Sequence, residues 1–512
     1  MVQRLVIYSK ALWSSGKVAL WLIGCSLVSV VAQGGPIGLS DLYSDQMMVQ
    51  ADCPVYLEGT ATPGDTIRVE LNRFVRTVRA DAQGDWQVNF PPLSAGTSFA
   101  VLITTTTDTV RIHNALAGEL WLCSGQSNMA RTVSLTDVKD SIEGKDLTTI
   151  RYFRLADNPQ ASPQVMIRGK WLICTPEHTE LCSAVGLSMA YHLSGVLKRP
   201  IGLVITAQGG TPIGSWTSPS VLQKKKYDQY IFARQEKWRK ARPAFQQAYQ
   251  AQLSEWKKRA REAHVKGENP PPRIYPPFAL RENWAPGSLY YGLVFPFRHV
   301  PFRGVLWYQG ESNDTHPFVY RYQLADLIHC WRETFQNPSL PFYIIQLPGY
   351  GSPEDWPVLR ESQHWSTRLD GVHLVVTIDL GDSLQIHPIR KMQVGWRSAL
   401  QILRHSYALK LTATGPEPVN WQFGKGQAFV EFDQPLKVSE PALPDIEIAG
   451  SDHKYRPAYS RVEGSRLVVW NPDVPVPLNV RYAWKSFPPH ANLFNLEELP
   501  VAPFMLSSPS QK

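Results

Sequence analysis

Four short polar clusters carry residue types suited to nucleophilic chemistry. The first is Gly118-Glu119-Leu120-Trp121-Leu122-Cys123-Ser124-Gly125-Gln126-Ser127-Asn128-Met129, an apolar run that opens into small, turn-prone residues after Cys123. Ser127 stands just past the expected end of a buried strand, where a hydroxyl is exposed. A serine hydroxyl is a weak nucleophile and needs an adjacent base. The N–H groups of such a turn can face a developing oxyanion. Position 129 is Met, so the pattern is not Gly-x-Ser-x-Gly, and the α/β-hydrolase elbow is disfavoured. The second cluster is Gln208-Gly209-Gly210-Thr211-Pro212-Ile213, where paired glycines let a backbone approach a ligand closely. The third is Trp307-Tyr308-Gln309-Gly310-Glu311-Ser312-Asn313, with an Asn amide able to donate to an oxyanion. The fourth is Asp379-Leu380-Gly381-Asp382-Ser383-Leu384-Gln385-Ile386-His387-Pro388, which puts one of thirteen histidines beside carboxylates. Each cluster alone is compatible with an ordinary turn. Four of them, each after a strand, point to one site.

The elements that must position these clusters are legible as alternation. Apolar runs of strand length lie at 119–123, 201–206, 304–308, 342–347 and 372–378. Helix-period segments at 184–197, 319–335, 358–369 and 391–405 lie between or after them. This pattern predicts an α/β fold, a parallel sheet with helices on both faces. Ligands in such sheets bind beyond the strand C-termini, where the four clusters fall. Short strand-like runs with Pro63-Gly64-Asp65 and Gln83-Gly84-Asp85 turns predict a β-sandwich-like N-terminal domain over 38–112. The α/β body then spans 113–408, and a Pro-rich, β-like C-terminal domain 409–512. Within the body, 221–273 interrupts the alternation. Tyr227, Ile231, Trp238, Phe245, Tyr249, Leu253 and Trp256 make a helical apolar stripe opposite Lys and Arg. Pro243 is expected to kink or split that helix, and the segment reads first as a solvated helical hairpin covering the core.

Composition sets outer bounds. The chain has 512 residues, 43% hydrophobic and 19% charged, which excludes a disordered or coiled-coil protein. The formal charge of +8 is concentrated in 221–273, which holds fourteen Lys/Arg against five Asp/Glu, so the rest of the chain is at −1. Nucleic acid is therefore not an expected partner of the body. Arg4, Lys10 and Lys17 precede an apolar run over 18–31, and Val30-Val31-Ala32 suits cleavage, so 1–32 reads as a signal peptide of a secreted or periplasmic protein. The run is too short to span a bilayer comfortably. Leu22-Ile23-Gly24-Cys25 has lipoprotein-box form, but the apolar run continues past it, which leaves lipidation the lesser expectation. Cys174 and Cys182 are near enough in sequence to bridge in an oxidising compartment. No Cys/His cluster suggests a metal, and no cofactor is expected.

Taken in order, the four clusters resemble the SGNH hydrolases, and most closely the sialate O-acetylesterase family. The resemblance extends over Asp41–Gln50, Gly287-Ser288-Leu289-Tyr290-Tyr291-Gly292, Val480-Arg481-Tyr482-Ala483-Trp484 and Ala491–Asn495. It implies an SGNH-type parallel sheet flanked by N-terminal and C-terminal β-rich domains. It implies Ser127 as nucleophile and His387 as general base, then acid for the leaving sugar oxygen. It also implies an oxyanion hole of the Ser127 and Gly210 N–H groups (Gly209 being the neighbouring possibility) and the Asn313 side chain. Gln126, Gln309 and Glu311 would shape the site or bind substrate. Many SGNH enzymes carry an Asp three residues before the histidine, but position 384 here is Leu. Asp379 and Asp382 are the nearest carboxylates, and a Ser–His dyad is an equal alternative. The implied substrate is an O-acetylated carbohydrate, with sialic acid favoured and an O-acetylated plant polysaccharide such as acetylxylan next. A sialate carboxylate would reward a cation near Ser127, and Arg131 and Arg390 are the candidates. Two other classes stay open: a non-catalytic carbohydrate-binding protein, and a surface-adhering protein acting through 221–273.

Overall fold

Seven strands lie side by side in the order Val372–Val375, Phe342–Ile345, Gly304–Tyr308, Thr109–Gly125, Ile201–Ile205, Ile150–Leu155, Gly169–Ile173. All neighbours are parallel except the last pair. The computed structural model describes residues 36–508 apart from 157–158, 353 and 440–442. The expected signal segment, with Cys25, lies outside the described residues.

The inner strands are buried on both faces, which is why they read as unbroken apolar runs rather than alternating ones. Leu306 pairs with Cys123 across the sheet and shares its face. The helix Ala184–Leu197 packs there, with Gly186 against the Cys123 sulfur. Trp307 points to the opposite face and meets Trp331 of the helix Tyr320–Thr334 edge-on, with ring centroids 5.5 Å apart. Helices therefore cover both faces. The first helix also packs on Lys391–His405, so tightly that a Cβ on Gly395 would lie 2.3 Å from that of Ser188.

The chain builds outward from the Thr109–Gly125 strand in both directions. Ile201–Ile205 adds on one side, and the chain then crosses to place Gly304–Tyr308 on the other. Such a reversal opens a crevice beyond the strand C-termini. The loops carrying Ser127, Gly209–Gly210 and Asn313 leave from these three adjacent strands.

The Thr109–Gly125 strand also pairs antiparallel with Ser98–Thr104 in its first half. The expected boundary at 112/113 thus falls inside one strand, and one apolar core runs from Ile37 to Leu403. The C-terminal region has its own core, between two four-stranded antiparallel sheets. Phe74–Arg79, a largely exposed strand paired on one side, carries no period to read.

Three expectations are corrected. Gln229–Val265 is a single helix of 37 residues with Pro243 inside it, so the proline does not split it. Pro243 is exposed, and water can satisfy the carbonyl one turn back that its missing N–H leaves free. The return segment is extended rather than helical, and only Ile231 and Ala263 of the helix are buried, so it does not cover the core as a hairpin. Cys174 and Cys182 are free buried thiols, near enough for a hydrogen bond between them but not bridged.

Candidate active site

The nucleophile turn is shaped by Gly125. Its φ is +134°, and a Cβ would sit 2.1 Å from the Tyr308 carbonyl oxygen, so only glycine fits. That carbonyl instead accepts the Gln126 N–H at 2.9 Å. Ser127 then begins a one-turn helix, Ser127–Ala130. The Met129 and Ala130 N–H groups both go to the Gln126 carbonyl. The Ser127 and Asn128 N–H groups have no acceptor among the described residues, as expected at a helix start.

His387 arrives from the fourth cluster. Its Nε2 lies 2.7 Å from the Ser127 hydroxyl oxygen. Burial, then the charges of Arg131 and Lys391, hold the imidazole pKa below its ordinary value. The ring is thereby kept neutral and able to accept the serine proton. Among the described residues no group partners its Nδ1. Asp379 is turned away: its two oxygens meet Arg397 at 2.6 and 2.7 Å. Asp382 accepts the N–H groups of Leu384 and Gln385 at 2.8 and 3.0 Å and so shapes the loop. Ser127 and His387 are thus paired, and neither carboxylate meets the imidazole.

Asn313 enters from the third cluster with its amide orientation fixed. Its Oδ1 accepts from the Ile213 N–H at 3.0 Å and from Gln309 Nε2 at 2.8 Å. Nδ2 is therefore the donating end, with one weak contact to Gln323 Oε1 at 3.4 Å. Gln323 is held in turn by Asp228 at 2.7 Å. The glycine loop packs directly beside the serine: a Cβ on Gly209 would lie 3.4 Å from that of Ser127. Neither Gly209 nor Gly210 has its N–H taken by another described residue. Gly210, at φ +63°, is fixed through its carbonyl, which accepts Trp284 Nε1 at 2.6 Å.

Of the remaining expected residues, Gln126 and Glu311 are buried ties. Gln126 Oε1 faces the N–H groups of Gly310 and Ser312 at 3.4 Å. Glu311 accepts from Asn128 Nδ2 at 2.5 Å, and burial raises its carboxyl pKa. Arg390 is bound to the Asp379 carbonyl. Arg131 is half-buried, and its Nε is buried with no hydrogen-bond partner. Sequence reasoning missed Lys391, Gln323 and Trp284. Gln323 left a signal, as a polar residue three positions after Tyr320 and four before Leu327 on the apolar stripe of its helix.

With the geometry in view, comparison with known proteins is decisive. The family described as carbohydrate esterase, sialic acid-specific acetylesterase matches residues 117–260 and 279–403, which include all four clusters. The chain belongs to this family. The esterase is 27% identical over 498 residues to the mouse sialate O-acetylesterase, covering 87% of this chain and 89% of that one. It is 25% identical over 499 residues to the human sialate O-acetylesterase, covering 88% and 87%. Its fold matches a carbohydrate acetylesterase from Xanthomonas citri with TM-score 0.78 and 28% identity, over 92% of this chain and 99% of that one. Among its described residues, no helix is long and apolar enough to cross a membrane.

Proposed function

We propose that this esterase hydrolyses O-acetyl groups of sialic acids through an acetyl-enzyme on Ser127. The Ser127 oxygen attacks the acetyl carbonyl carbon while its proton passes to His387 Nε2. The carbonyl oxygen becomes an oxyanion that accepts from the Ser127 N–H, the Gly210 N–H (or its neighbour on Gly209) and Asn313 Nδ2. On collapse, the sugar–oxygen bond to the acetyl carbon breaks and His387 hands its proton to the sugar oxygen. Water then attacks the acetyl-serine, His387 takes its proton, and acetate leaves as Ser127 regains a proton.

The observation that carries this reading is the 2.7 Å contact between Ser127 and His387 beside unclaimed N–H donors. The family description and the two mammalian sialate O-acetylesterases support sialic acid as the sugar. Arg131 supports it too, as a half-buried cation whose charge reaches His387, the sign a sugar carboxylate would favour. The N-terminal run of basic then apolar residues supports export from the cytoplasm.

The test is acetate release from O-acetylated sialoglycoprotein and from acetylxylan, side by side, with the natural chain and Ser127→Ala. Release from the sialoglycoprotein that disappears in the variant is the expected result. Release from acetylxylan alone would reassign the sugar. Equal release by Ser127→Ala would remove the serine from the mechanism.

A further inference from the structure

Under the dyad lies an ammonium group that the reaction as described does not use. Lys391 begins the helix that follows the histidine loop, and its side chain has 0% exposure. Withdrawing an ammonium from water costs several kcal/mol unless its surroundings compensate. Here Nζ donates to Asn128 Oδ1 at 2.7 Å and lies 5.2 Å from the centre of the Tyr308 ring. The backbone of Lys391 is pinned as well, because Asp137 Oδ1 accepts the N–H groups of Lys391 and Met392 at 2.7 and 3.0 Å.

Asn128 is the residue directly after the nucleophile, and its amide is fully committed. Oδ1 takes the lysine. Nδ2 donates to Glu311 Oε1 at 2.5 Å and to the Ile386 carbonyl at 3.0 Å. Ile386 is the residue directly before His387. One side chain thus joins the serine turn, the Asn313 loop and the histidine loop, with a cation on one side and a carboxylate on the other. A dyad without an acid on Nδ1 must orient its imidazole by other means, and here the backbone entering His387 is clamped by the side chain of the residue that follows Ser127.

We propose that Lys391 is a positioning residue for hydrolysis, holding Ser127 and His387 in register through Asn128. This rests on the reading of Ser127 and His387 as the working pair. The lysine acts by fixing the Asn128 amide, so that both Nδ2 hydrogens point at Glu311 and Ile386. It also acts by charge: with Arg131, it opposes protonation of His387. The groups facing Lys391 itself are Glu311, Arg131 and Asp137. Burial first, then Arg131, pulls its pKa down to about 7 against the pull of Glu311 and Asp137.

Lys391→Met tests the role, together with Lys391→Met/Glu311→Gln, which removes both buried charges and spares the fold an unpaired carboxylate. kcat is measured per active site, counted by titration with a serine-reactive phosphonate, so that unfolded protein does not contribute. The expected result in both variants is a kcat about 10²-fold lower, the scale for misplacing reacting groups by about an ångström. KM stays within a few-fold, and in Lys391→Met the acid limb of the pH profile moves to higher pH. A lysine that only stabilises the fold would lower the count of active sites and leave kcat per site and the acid limb unmoved; that result overturns the proposal. Ser127→Ala in the same assay separates the failures. Full activity there overturns the dyad and the proposal with it. Loss there, with both lysine variants at natural kcat, overturns the role of Lys391 alone.

Discussion

His387 Nε2 and the Ser127 hydroxyl oxygen stand 2.7 Å apart, although 260 positions separate the two residues in the chain. The contact is made across adjoining loops at the strand C-termini, and two cations, Arg131 and Lys391, bear on the imidazole.

The first prediction concerns pH. Burial and the two cations disfavour the imidazolium, so the histidine remains a base to lower pH than an ordinary imidazole. The acid limb of kcat/KM is therefore expected below pH 6.5, the usual imidazole value. Arg131→Gln removes a positive charge, which makes the imidazolium less costly and raises the pKa. The acid limb should then move toward higher pH. A limb that stays in place, or moves down, would show that Arg131 does not act on His387.

The second prediction separates a dyad from a triad. Asp379 is paired in two hydrogen bonds with the buried Arg397 and does not reach His387. Asp379→Asn should leave kcat within about tenfold of the natural chain. Losing a triad carboxylate by the same substitution costs about 10⁴. Stability should suffer instead, by about 3–5 kcal/mol, because an uncompensated guanidinium is left buried. Thermal unfolding and steady-state kinetics on one preparation decide between the two.

Why the first residues could be read from sequence and the others could not is a matter of distance along the chain. Ser127, Gly210 and Asn313 each follow an apolar run within a few residues and His387 follows one by nine, and a strand end is a local feature. Lys391 and Asn128 meet only through folding, as do Gln323 and Asp228, which are 95 positions apart. The directions of Asp379 and Asp382 were equally undetermined, because a loop carboxylate can cap its own backbone or reach a distant arginine, and here one does each. The passage from the N-terminal β-region into the body leaves no local mark for a related reason. A 17-residue strand that serves two sheets has no turn to mark the passage between them. Pro243 shows a rule overridden by exposure, since a lost helix hydrogen bond matters less where water can replace it.

A third prediction concerns the oxyanion donors. Asn313→Ala should lower kcat about 10²–10³-fold, the usual loss for one such donor. Gln309→Leu removes a hydrogen bond to Asn313 Oδ1 without touching the donor itself. The amide can then rotate, since only the Ile213 N–H remains to hold Oδ1. A kcat loss of about tenfold is expected, consistent with one neutral hydrogen bond of about 1 kcal/mol no longer fixing the group. Once Asn313 is Ala, adding Gln309→Leu should cost little more. Losses that simply add would mean that the glutamine acts on the substrate rather than through Asn313, and kinetics of the single and double variants measure this directly.

The last prediction tests the turn itself. At Gly125 two independent demands coincide: a φ of +134° and a Cβ position 2.1 Å from the Tyr308 carbonyl oxygen. The blocking atom is backbone of the adjacent strand and cannot rotate aside. Gly125→Ala must therefore push the two strands apart or bend the turn, and either change moves the Ser127 N–H and hydroxyl together. Strain of about 1–3 kcal/mol is expected from the backbone conformation alone, and the clash adds to it. Gly209 makes the contrasting case, because a Cβ there would approach the Ser127 Cβ at 3.4 Å and its Cα at 3.8 Å, ordinary contact distances. Gly209→Ala should fold with nearly natural stability, whereas Gly125→Ala should show a lowered unfolding midpoint and lose phosphonate labelling of Ser127. Natural stability and labelling in Gly125→Ala would mean that the turn tolerates a shape other than the one described.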